Sequence, residues 1–173
     1  KNHFLNEFKE MVFNLHHGAL PKERGSTIYP RIMNGKNNLS VSLHKVSKGI
    51  DTGNVLYKKT IQSKTDFYSI REANRINLGI SKYILEKFIN DLSNHKEITE
   101  SKQSIDEGIY MPQFHTETNG AIDWNWKACE IEKFIRAFGS PFSGAFTFYK
   151  GKKISLLKFY IEKNNESYHP FFY

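Results

Sequence analysis

Cysteine is nearly absent from this 173-residue chain, in which Cys129 stands alone. A single thiol excludes an internal disulfide framework and a zinc site built on cysteines. A reducing compartment, the cytoplasm, is therefore the expected setting. No stretch approaches the about 18 consecutive apolar residues of a membrane-spanning helix, so no membrane partner is expected. Arginine-rich runs and glycine-rich phosphate loops are missing too. Aromatic residues are plentiful, with 14 Phe, 9 Tyr and 2 Trp, which is enough bulky apolar material for a core. Charged residues at 25% and hydrophobic residues at 39% describe a globular chain rather than a disordered one. Lys and Arg outnumber Asp and Glu by 25 to 18, giving a net charge of +7. The excess points to an anionic partner such as a nucleic acid, nucleotide or acidic cofactor. The basic residues are scattered, and the same charge serves solubility equally well.

Both ends of the chain read as cuts. It opens Lys1-Asn2-His3-Phe4 without a Met or an apolar signal core, and closes on the apolar Pro170-Phe171-Phe172-Tyr173. A piece of a longer chain is expected.

Hydrophobic periodicity orders the middle. Phe4, Leu5 and Phe8 share one face of a helix end at residues 3–9. Met11 to His16 reads as a buried strand opening into a Gly- and Pro-punctuated loop over 18–27. A short helix should end at Asn34-Gly35. Leu39 to Val46 alternates as a strand, and Val55 to Ile61 is another, joined through the tight loop Lys48-Gly49-Ile50-Asp51-Thr52-Gly53. Asp66 to Leu92 has helical spacing, with a capping box at Ser69 and Glu72 or a start at Thr65. Residues 93–121 are polar and irregular and read as a linker. A helix over Ala128 to Phe138 follows, then two strands, Phe142 to Tyr149 and Lys153 to Ile161, in a hairpin. This is an α/β chain with a small α+β appendage: residues 1–92, the linker 93–121, and 122–173. In open α/β sheets sites lie at the C-terminal ends of strands, which singles out the loops after the first strand and around Asp51.

Asn14 and His16 are two apart, so on a strand they project to one face. An amide can donate to the oxyanion that forms as a carbonyl becomes tetrahedral. An imidazole can move protons near neutral pH. Asp51 in the second loop could orient or charge-stabilise that imidazole, or could simply make an Asx-type turn. Asn and His at a strand end also serve as plain loop caps. Adding His17 and His44 to His16 and Asp51 would sketch a metal site, but no ligand spacing supports it and no metal is expected. His44 reads as a satisfied strand residue, and Cys129 as a small buried apolar one. Trp124 and Trp126 could stack on a base or pack under the appendage. Arg136 could meet a phosphate or make an ion pair, and the lysines at 150, 152 and 153 read as a solvated hairpin tip.

The order of residues from Asn14 to Gly25, Asn-Leu-His-His-Gly-Ala-Leu-Pro-Lys-Glu-Arg-Gly, resembles the Asn-x-His-x-x-x-Leu-Pro-x-x-Arg-Gly motif of the folate-dependent formyltransferases. Gly49-Ile50-Asp51-Thr52-Gly53 resembles that family's aspartate loop. Ile122-Asp123-Trp124, Ile135-Arg136-Ala137-Phe138 and Pro141-x-x-Gly144-Ala145-Phe146 resemble the start of its C-terminal domain. The likeness covers about residues 10–160. It implies the C-terminal part of a Rossmann-like catalytic domain followed by a small C-terminal domain. It further implies transfer of a formyl group from 10-formyltetrahydrofolate to a primary amine. Asn14 would then stabilise the oxyanion, His16 would move the proton, and Asp51 would hold His16. Ser47, Lys48, Gly49 and Ile50 would embrace the pterin. The implied acceptor is a nucleotide-linked amino sugar, with initiator methionyl-tRNA as the alternative and a homodimer among the open assemblies. A non-catalytic basic binding module is the reading from another class. Two departures stand out. Family members usually carry another α/β stretch before the Asn strand, and Gly18-Ala19 stands where many relatives have Ser-Leu.

Overall fold

Strict alternation along the chain's central strand decides how the layers assemble. A computed structural model describes residues 7–8, 11–63, 69–104 and 106–161. In it the elements run β1 (Phe13–His16), β2 (Glu23–Gly25), α1 (Ile28–Met33), β3 (Asn38–Lys45), β4 (Val55–Gln62) and α2 (Ile70–Ser93). They continue β5 (Ile109–Met111), α3 (Thr116–Asn119), α4 (Ala128–Ala137), β6 (Ala145–Tyr149) and β7 (Lys152–Leu156). The helix end expected at 3–9, the alternative helix start at Thr65 and the chain terminus lie wholly or largely outside the described residues.

β3 is the middle of a three-stranded sheet ordered β1-β3-β4, and both pairings are antiparallel. Successive side chains of a strand point to opposite faces. Leu39, Val41 and Leu43 therefore share one face, where they pack with Ala73, Ile80, Ile84 and Phe88 of α2. Ser40, Ser42 and His44 occupy the other face and are buried as well. A strand buried on both faces with polar groups on one of them must satisfy those groups locally.

α2 starts at Ser69, whose side chain accepts a hydrogen bond from the Glu72 amide at 3.1 Å. This is one of the two expected starts. Its buried stripe includes Ile70, Ala73, Asn77, Ile80, Ile84 and Phe88, of which Ala73, Ile80, Ile84 and Phe88 pack on the sheet and Ile70 joins a second core. Leu85, Ile89 and Leu92, which also have helical spacing, lie on the opposite side and are exposed. The second core gathers Tyr29 and Ile32 of α1, Ile131, Phe134 and Ile135 of α4, and Phe138. α1 ends at Asn34 with Gly35 at φ 60°, as the Asn-Gly pair implied. β6 and β7 join through Lys150 and Gly151, both at positive φ, the geometry that a two-residue hairpin turn needs.

Several expectations change. The first strand is not buried: Phe13 and Asn14 are exposed and only His16 is covered. β1 is the edge of this sheet among the described residues, so its short apolar run reflects packing on one side alone. The loop over 18–27 contains β2, which pairs in parallel with β5 from the polar stretch after α2. Short strands with Arg and Glu carry no alternation to announce them. Cys129 is exposed, because it sits in the first turn of α4 away from the Ile131, Phe134 and Ile135 stripe. Among the described residues no helix is long and apolar enough to cross a membrane.

The two faces of α2 make different stability predictions. Ile80 is 2% exposed and Leu78 is 65% exposed. Ile80→Ala is expected to cost about 2–4 kcal/mol in urea unfolding, and Leu78→Ala no more than about 0.5 kcal/mol.

Candidate functional site

The antiparallel pairing builds the site. Asn14 is directly opposite His44, and His16 opposite Ser42. Paired residues point to one face, so these four side chains share the polar face of the sheet. The site therefore lies on the face of antiparallel strands rather than beyond the carboxyl ends of parallel ones. The loop after β3 folds over this face and delivers Asp51, which sits at φ 53°, a left-handed conformation that Asp tolerates better than most residues.

Asp51 is the meeting point. One carboxylate oxygen lies 3.3 Å from His16 Nδ1 and the other 3.5 Å from His44 Nε2. The Gly25 amide donates to Asp51 Oδ2 at 2.9 Å. Asn14 Nδ2 lies 3.2 Å from His44 Nε2. Asn14, His16 and Asp51 are thus gathered, with His44 as the link that the sequence reading treated as an ordinary strand residue. Alternation put its imidazole on one face with Ser40 and Ser42, but its place directly across from Asn14 follows only from the pairing of β1 with β3.

Burial alone would push the Asp51 carboxyl up. Hydrogen bonds from His44 and the Gly25 amide, together with the nearby imidazoles, overcome this and hold it at about 2. For His16 the balance goes the other way: burial lowers its pKa below the ordinary 6.5 despite the Asp51 charge. His17 is lowered too, by burial and by its neighbour His16.

The seat of His16 is chemically specific. Nε2 lies 2.7 Å from the Glu23 carbonyl oxygen, while Nδ1 faces Asp51. Both neighbours accept hydrogen bonds. A neutral ring carries one N–H, so one of its nitrogens presents a lone pair to an oxygen. Adding a second proton satisfies both. Burial keeps the ring neutral at rest, and its partners stabilise the imidazolium that forms when it takes a proton. This is the behaviour a general base needs.

Glu23 positions that carbonyl. Its carboxylate pairs with the guanidinium of Arg31, accepts the Ala19 amide at 3.0 Å and lies 3.7 Å from Lys36 Nζ. Arg31 also donates to the Asn38 carbonyl. Both Glu23 and Arg31 are buried, so removing either leaves an uncompensated charge. Gln103 fastens the Asp51 loop by donating to the Asp51 carbonyl at 2.9 Å and to the Gly53 carbonyl. Arg24 donates to the Ser104 carbonyl at 2.9 Å. Spacing gave no sign of Glu23, Arg31 or Gln103, because their work is done through backbone groups.

Ser47, Lys48, Gly49 and Ile50 precede Asp51 in the same loop. Ser47 is half-buried with its hydroxyl 2.7 Å from that of Thr52, and the other three are exposed. His17 has its Nε2 3.3 Å from Ser81 Oγ. Among the described residues no group of three or more His, Cys, Asp or Glu could hold a metal ion. Trp124 donates to Thr147 Oγ1 at 2.8 Å, and Trp126 sits edge-on to Phe134 with ring centres 5.0 Å apart. Arg136 pairs with Glu132 at 3.1 Å.

A family model described as formyl transferase, C-terminal domain, matches residues 115–170. The methionyl-tRNA formyltransferase of Caldanaerobacter subterraneus subsp. tengcongensis is 35% identical over 147 residues, which span 84% of this chain and 46% of that protein. Among solved structures, the N-formyltransferase of Helicobacter canadensis in complex with folinic acid and dTDP-3-aminofucose superposes with a TM-score of 0.65 at 27% identity, covering 78% of this chain and 50% of that one. The methionyl-tRNA formyltransferase of Clostridium thermocellum gives 0.65 at 26% identity, covering 89% and 64%. Fold and sequence together define an α/β protein built like the formyltransferases. The chain belongs to the formyltransferase family, and it spans about half the length of the curated methionyl-tRNA formyltransferases that it matches.

Two measurements check the site. A Cβ on Gly18 would lie 2.7 Å from the Glu23 carbonyl oxygen and closer still to His16 Nε2. Gly18→Ala is therefore expected to cost about 1–3 kcal/mol and to break the Nε2–Glu23 bond, seen as a changed His16 ring signal in nitrogen-15 NMR. On acidification, stability is expected to fall in two stages. The unfolded chain binds protons first at histidines below the ordinary 6.5, where folded His16 and His17 resist them. It next binds them at carboxylates between the ordinary 3.8 of Asp51 and its folded value of about 2. Urea titrations across pH should show a smaller second stage in Asp51→Asn.

Proposed function

We propose that this chain carries the reacting groups of an N-formyltransferase that moves a formyl group from 10-formyltetrahydrofolate to a primary amine. The convergence of Asn14, His16 and Asp51 on one sheet face is the observation that carries the reading. Folate supplies the formyl carbon. The amine nitrogen bonds to that carbon, the bond from the carbon to the folate nitrogen breaks, and the amine's surplus proton leaves to that nitrogen by way of His16, whose Nε2 must let go of the Glu23 carbonyl to take it. Asn14, whose amide rests against His44, turns to donate to the formyl oxygen as negative charge builds there. Asp51 holds the imidazole and balances its charge. The exposed loop of Ser47, Lys48, Gly49 and Ile50 borders Asp51 directly, which fits backbone contact with the edge of a flat pterin ring. In this reading residues 1–92 are the C-terminal part of a catalytic domain, and residues 122–173 a small second domain reached through residues 93–121.

The proposed acceptor is the amino group of a nucleotide-linked amino sugar. The Helicobacter canadensis neighbour, in complex with dTDP-3-aminofucose, supports it. Initiator methionyl-tRNA is the second reading, supported by the Caldanaerobacter relative and the net charge of +7. The readings separate by assaying the full-length protein with 10-formyltetrahydrofolate against dTDP- and UDP-linked amino sugars and charged initiator tRNA. A tRNA enzyme binds RNA with a steep salt dependence that a sugar enzyme lacks. Asn14→Ala is expected to lower kcat by about 10²–10³-fold, and His16→Ala by about 10²–10⁴-fold. Transfer to neither acceptor class would leave the basic binding module.

A further inference from the structure

A cavity of about 240 Å³ opens beside the site, between the end of β1, the turn after β2 and the first turns of α2. Asn14 and His16 line it, along with His17, Thr27, Asn74 and Asn77, while none of Ser47 to Asp51 does. The two reacting side chains therefore border both the Asp51 loop and a separate chamber. No Asp, Glu, Lys or Arg is among the described residues that line it.

Asn77 does not belong where it stands. It occupies the buried stripe of α2, between Ala73 and Ile80, where a leucine would pack into the core. It is 2% exposed, and its Oδ1 has no hydrogen-bond partner among the described residues. An unmet buried amide oxygen costs about 1–3 kcal/mol. Asn74 lies one turn earlier on the same side. Ser81, one turn later, meets His17. Two polar residues, Asn74 and Asn77, thus stand where the helix borders the cavity, and Ser81 continues the polar stretch just beyond it. Such a break in an otherwise consistent pattern marks a functional position.

The lining is amide, imidazole and hydroxyl together with a comparable share of apolar surface from Leu15, Ile28 and neighbouring carbons. It has no cation for a phosphate or carboxylate, and no Phe, Tyr or Trp for stacking a base. Neutral groups that both donate and accept suit a ring of hydroxyl groups. We propose that this cavity is the acceptor subsite and that Asn77 is its specificity residue. Its carboxamide bonds a hydroxyl of an uncharged, hydroxylated ring whose amino group lies at Asn14 and His16. The inference rests on the formyl-transfer reading and narrows its acceptor to an amino sugar.

Initial-rate kinetics on the full-length protein test it, using 10-formyltetrahydrofolate with dTDP- and UDP-linked amino sugars, and charged initiator tRNA in parallel. Asn77→Leu is expected to raise KM for the sugar nucleotide about tenfold, the equivalent of one hydrogen bond, while kcat and the folate KM stay within about threefold. Its melting temperature should hold or rise, since the lost oxygen had no partner; a structural role would lower it. Asn77→Ala, which cannot overpack the site, should repeat the KM change. An unchanged acceptor KM in both variants overturns the proposal. Formylation of tRNA but of no amino sugar overturns it while leaving formyl transfer intact. Transfer to neither removes both.

Discussion

The carboxylate of Asp51 holds three stretches of chain in one arrangement. Through Gly25 it ties down the turn after β2, through His16 it reaches β1, and through His44 it reaches β3. Each contact offers it positive charge or an N–H, which is why it stays ionised although half-buried. Gln103 and the β2–β5 pairing brace the same loop from the far side. The site is thus a product of long-range contacts. Residues far apart in sequence share one anion, while the β1–β3 and β2–β5 pairings hold their backbones independently of it.

Much of this could be read from residue order. The alternation of Leu39 to Val46 and the helical spacing from Ile76 to Phe88 come from burial of one face, which leaves a periodic trace. Asn14 and His16 sharing a face follows from strand geometry alone. For Asp51, chemistry offered a partnership with His16 or a plain Asx turn, and the family resemblance favoured the first, because nothing local in a tight loop says where it will fold. The antiparallel sheet was hidden for a related reason: strand direction depends on connections, and short loops around β2 allowed several. His44 was underestimated because a buried histidine in a strand commonly has a local partner, and indeed its Nδ1 lies 2.7 Å from the Lys45 carbonyl. Its other nitrogen lies between Asn14 Nδ2 and Asp51 Oδ1, 3.2 and 3.5 Å from them.

Two buried polar stretches among the described residues have different characters. On β3, Ser40, Ser42 and His44 are buried and satisfied: Ser42 donates to the Gly18 carbonyl at 2.7 Å, and Ser40 meets Thr60 at 2.8 Å. On α2, the Asn77 oxygen is not. Satisfied polar groups fix register and loop position, whereas an unsatisfied one lowers stability unless something else meets it. The difference separates the groups that hold the architecture from those free to meet a ligand.

The Gly25 amide has a consequence for how such a protein can change. Asp51 depends on a main-chain N–H at a residue whose φ of 79° admits few side chains. Replacing side chains one at a time, the ordinary way of mapping a site, leaves that donor in place and so never weighs it. Only swapping the amide for an ester bond would reveal its share, and natural mutation has no such tool. That part of the electrostatics is beyond the reach of codon-by-codon drift as long as the turn itself survives.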